Sequence, residues 1–131
     1  MKPSVRPYLV VLGAALLGQG LLSWLLDWTG NASNRMPYRF ANADPRHAFI
    51  HVVWGVVILV LVGRGMTERG YAWLALSFGV FYTALAVVGL AVHHPLGLRL
   101  DRGENIFHLI VGPVSLAVGA VALRHHDRLL A

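Results

Sequence analysis

Seven histidines and no cysteine stand in a chain of 131 residues, so imidazole is the chemistry to weigh first. Three of the seven are set apart by spacing. His47 and His51 are four residues apart, one helical turn on a single face, a spacing that suits one shared ion. His108 lies in the segment GENIFHLIVG, and the earlier segment RHAFIHVVWG aligns with it, His51 over His108 and Gly55 over Gly112. One turn before the aligned histidine stands His47 in the first copy and Glu104 in the second. His47, His51, His108 and Glu104 therefore form a candidate ligand set for a metal ion. Two imidazoles at equal depth, with glycines making room, also suit axial ligation of haem b or a chlorin. His51 and His108 would be the ligands there, and Gly55, Gly112 and Asn105 their surroundings. The plainest alternative is structural: the histidines bond each other, Asn105, Gln19 or water, and so fix helix packing. Asn105, three residues before His108, is expected to hydrogen-bond its ring.

The elements that must carry these side chains are four continuous apolar runs, about Tyr8–Trp28, Pro45–Val62, Tyr71–Val92 and Gly103–Leu123. Each has the length that a helix rising 1.5 Å per residue needs to cross a hydrocarbon core of about 30 Å. The composition agrees, with 56% hydrophobic and 13% charged residues, against roughly 25% charged in soluble domains. The runs lack the alternation of barrel strands. The expected fold is an all-α membrane protein, a four-transmembrane-helix bundle occupying residues 1–131 as a single domain. The alignment of the second and fourth runs predicts two repeated helical hairpins, related by an axis along the membrane normal.

Local signals support these boundaries. Asp44 before Pro45 reads as an N-cap followed by proline at the first helical position. Asp101 and Glu104 have the spacing of a capping box. Pro113 should free the carbonyl of Leu109 and bend the last helix. Trp24, Trp28 and Trp73 sit near span ends as interfacial anchors, with Asp27 a solvated carboxylate among them. Lys2 and Arg6 precede the first run, which is too long for the apolar region of a signal peptide.

Several chemistries are disfavoured. The net charge is +5, but the basic residues form short clusters between apolar runs and no stripe for nucleic acid. The absence of cysteine removes disulfides and thiolate sites. Ser23, Ser77 and Ser115 lack a G-x-S-x-G setting or a lysine base, and no phosphate loop or carboxylate pair for hydrolysis is present. His93 and His94 end the third run, where imidazolium would favour the helix dipole. His125 and His126 fall in a solvated basic tail. Basic residues are split six to five between the two sides, so orientation follows the first helix, which places both termini in the cytoplasm.

The pattern HHPLGLRLDRGENIFHLIVG, with the earlier HAFIHVVWG, resembles a bacterial domain-of-unknown-function family of four-helix membrane proteins. Members carry an N-x-x-H-x-x-x-G segment in the last helix, here Asn105, His108 and Gly112, and a related segment in the second, here His51 and Gly55. Ala48 stands where an asparagine would complete the first copy. The resemblance implies the fold and a location in the bacterial inner membrane, and no activity. The function expected from the residues is a non-enzymatic multi-pass protein, an accessory or structural subunit of a membrane assembly. Its partners would be the lipid bilayer and other membrane subunits. The alternatives are a redox-active haem or chlorin protein and a small proton or solute transporter.

Overall fold

A computed structural model describes residues 4–30, 44–92 and 102–128. These form four helices: α1 (Arg6–Trp28), α2 (Pro45–Gly63), α3 (Glu68–Ala91) and α4 (Arg102–Arg128). All four are long and apolar enough to cross a membrane, and among the described residues there is no strand. The chain is a four-helix membrane bundle. Its surface is inverted relative to a soluble protein: Val11, Leu25, Val80, Val87, Ile110 and Val121 face outward, while histidine and serine are buried. That arrangement is stable only where lipid, not water, covers the outside.

Helix limits follow capping chemistry. Asp44 accepts hydrogen bonds from the backbone N–H groups of Arg46 and His47 at 3.0 and 3.2 Å, satisfying two of the donors that a helix start leaves open. Thr67 caps α3 in the same way through Gly70 N–H, at 3.1 Å, a start the apolar pattern placed three residues late. Between α2 and α3 the chain reverses through Gly65 in the left-handed region, φ +75°. Tyr71 steadies this turn: its hydroxyl accepts from Met66 N–H and donates to the Val62 carbonyl. Helix α4 runs through Pro113 and beyond the expected end to Arg128, taking His125 and His126 into its last turns. His93, His94 and Asp101 lie outside the described residues.

The helices pack as two antiparallel pairs, α1 with α2 and α3 with α4. Within each pair the backbones touch at glycine. A Cβ on Gly55 would lie 2.7 Å from Leu17 N and 2.8 Å from Gly13 O. The second pair repeats this contact, with Gly112 Cβ 2.7 Å from Thr83 N and Gly79 Cβ 2.9 Å from Gly112 O. Gly55 and Gly112 are the positions that align in the sequence, so the two hairpins cross their helices at equivalent points. In lipid no hydrophobic force drives helices together, and close backbone approach supplies the van der Waals contact instead.

Large side chains join one pair to the other. Trp54 packs edge-on against Phe78 at 5.5 Å and tilted against Phe81 at 5.6 Å. Tyr8 of α1 hydrogen-bonds Ser115 of α4 at 2.5 Å. The seam between the hairpins is thus wide and aromatic, while each hairpin's own seam is narrow. The histidines fall in the wide one.

Candidate metal centre

Placement of the three imidazoles begins with the α2 cap. Asp44 fixes the first turn, so His47 and His51 project from one face at the end where α1 and α3 finish and α4 begins. His51 is seven residues into its helix, about 10 Å along the axis. His108 reaches the same depth from α4. His47 and His108 are 0% exposed and His51 is 3% exposed. Their ring centroids are 4.5 Å apart for His47 and His51, 5.2 Å for His47 and His108, and 6.1 Å for His51 and His108. One ligand atom from each lies within 4.8 Å of the other two.

Oxygen atoms stand beside two of the rings. Nδ1 of His47 is 3.0 Å from Glu104 Oε1, and Nδ1 of His51 is hydrogen-bonded to the Gln19 side-chain oxygen. At His51 the oxygen acceptor selects the tautomer with its proton on Nδ1 and leaves the Nε2 lone pair directed away, while the contact of Glu104 with His47 is one of distance and charge without a hydrogen bond. Both ring nitrogens of His47, Nε2 of His51 and both ring nitrogens of His108 are buried with no hydrogen-bond partner among the described residues. A buried polar atom without a partner costs about 1–3 kcal/mol, and each neutral imidazole carries one lone pair, so the three rings together call for something that accepts three electron pairs.

All four residues of the expected ligand set therefore meet, but Glu104 plays a different part. Its carboxylate stands behind His47, and the group of mutually close ligand atoms consists of the three histidines. The bond expected between Asn105 and His108 is absent: Asn105 Oδ1 and both ring nitrogens of His108 lack partners among the described residues. His108 is turned into the seam, where its ring meets Tyr82 at 4.9 Å and His47. Gly55 and Gly112 serve the contacts inside each hairpin, and so make no slot between them.

The space between His51 and His108 bears on a macrocycle. Three rings stand beside that line, each at similar distance from both imidazoles. His47 is 4.5 and 5.2 Å away, Tyr82 5.9 and 4.9 Å, and Phe107 6.0 and 5.9 Å. A porphyrin held on two axial imidazoles needs this plane for itself, and these rings fill it. A single ion needs no such plane.

Tyr82 is the residue that reading the sequence missed. It is fully buried, stacks on Phe78 at 4.3 Å and carries a hydroxyl with no partner among the described residues. The available signal was a phenol in the middle of an apolar span, where a polar tip must find company. No protein-family model, curated protein or solved structure matches the chain.

Proposed function

We propose that this protein is a non-enzymatic accessory protein of the bacterial inner membrane that holds one divalent transition-metal ion between its two hairpins. The ligands are His47, His51 and His108, with Gln19 setting the tautomer of His51 and the Glu104 carboxylate beside Nδ1 of His47. The observation that carries this reading is the convergence of three buried imidazoles whose outward nitrogens have no partner. Histidines serving packing alone would be expected to spend those nitrogens on hydrogen bonds. Imidazole ligands suit zinc, copper, nickel or iron. Tetrahedral bonds of 2.0–2.1 Å place ligand nitrogens about 3.3 Å apart, so side-chain adjustments on the order of 1 Å would close the 4.8 Å cluster on an ion. The basic residues before α1 orient both termini to the cytoplasm, which puts the ion near the outer face.

The test is metal uptake by detergent-purified protein carrying no histidine tag. After chelator treatment and dialysis, one equivalent of Zn²⁺ or Co²⁺ per chain should remain bound. Binding should persist when His93, His94, His125 and His126 are replaced, and vanish in His51→Ala and His108→Ala. Uptake no greater than that of a variant lacking His47, His51 and His108 would remove the proposal.

A further inference from the structure

We infer that the ion keeps one coordination position for a small exogenous ligand, water or hydroxide exchangeable with a monodentate anion. This rests on the metal reading above and deepens it. The first ground is the count of protein ligands. Three imidazoles form the group of close ligand atoms, and no further histidine, aspartate or glutamate joins it among the described residues. The chain has no cysteine. The Gln19 side-chain oxygen is committed at Nδ1 of His51, and Glu104 Oε1 lies 3.0 Å from Nδ1 of His47. An ion on Nε2 lies on the far side of each ring, so the same oxygen cannot hold the ring and ligate the ion. Zinc-type sites with three protein ligands complete their tetrahedron with a solvent or substrate atom, whereas structural sites use four.

The second ground is a donor for that ligand. Tyr82 packs its ring against His108 at 4.9 Å and against His51 at 5.9 Å, and its buried hydroxyl has no partner among the described residues. A metal-bound hydroxide or anion is an acceptor of the kind that this O–H lacks. At the bundle end that holds the cluster, Glu104 is 11% exposed while His47 beside it is 0% exposed. The apolar seam of Trp54, Phe78 and Phe81 fills the opposite direction.

Cobalt makes the open position visible. The detergent-purified, Co²⁺-loaded full chain should show visible d–d bands that shift saturably on titration with azide or cyanide. Tyr82→Phe should weaken anion binding about tenfold, the worth of one hydrogen bond, with Co²⁺ affinity within about twofold of wild type. Glu104→Gln should weaken Co²⁺ binding about 10–100-fold, as loss of a ring-orienting partner does, while the anion-saturated spectrum stays the same. A Co²⁺ spectrum that no small anion perturbs overturns the open position and leaves ion binding intact. Absence of any Co²⁺ binding overturns both. The wild-type titration decides the matter even where a variant fails to give a monodisperse protein.

Discussion

Replacing glycine with alanine at three positions separates close packing from helix propensity within one molecule. A Cβ on Gly55 would meet Leu17 N at 2.7 Å and Gly13 O at 2.8 Å, both backbone atoms, whereas ordinary contact begins at 3.4 Å. The backbones of α1 and α2 must therefore part by about 0.7 Å, because neither atom can rotate away. Overpacking of this kind costs about 1–3 kcal/mol. Gly112 should behave alike, since Thr83 N is 2.7 Å from its Cβ. Gly18 has nothing within 4 Å, and there alanine should stabilise by about 0.5–1 kcal/mol through helix propensity. Unfolding by SDS in mixed micelles, followed by circular dichroism, reads all three. Gly55→Ala and Gly112→Ala should unfold at lower SDS fraction and Gly18→Ala at equal or higher. Equal shifts for Gly18→Ala and Gly55→Ala would refute the argument that backbone contact at the aligned glycines holds each hairpin. Because Gln19 and His51 face each other across the same α1–α2 seam, Gly55→Ala should also weaken metal binding.

Other consequences are independent of that seam. Asp44→Ala should cost about 1 kcal/mol through loss of the cap, and should lower Zn²⁺ affinity because His47 lies in the turn the cap holds; Asp44→Asn should restore most of both. A double-mutant cycle on Tyr8→Phe and Ser115→Ala should give a coupling near 0.6 kcal/mol and below about 2, the range for interhelical hydrogen bonds in bilayers, and a coupling of zero would remove the bond between α1 and α4.

How much of this was legible in one dimension depends on the kind of force involved. Span number was legible because crossing a hydrocarbon core is a matter of length and apolarity along the chain, whereas α3 began three residues earlier and α4 ended five residues later than apolarity alone placed them. The α2 start was legible because Asp44 and Pro45 act within a single turn. The pairing of His47 with His51 followed from helical spacing, and the equivalence of Gly55 with Gly112 from an alignment that the structure repeats as backbone contacts. Apart from the sides of α2 and α4 that carry His51 and His108, expected inward and found buried, the inner faces of the helices were not legible. A helix in lipid is apolar all round, so no polar stripe tells its buried side from its lipid side. Only the tertiary structure decided that Gln19 backs His51, that Tyr82 packs against His108, and that Glu104 stands behind His47. Those relations cross from one helix to another, and spacing along a chain carries no record of the angle at which two helices meet.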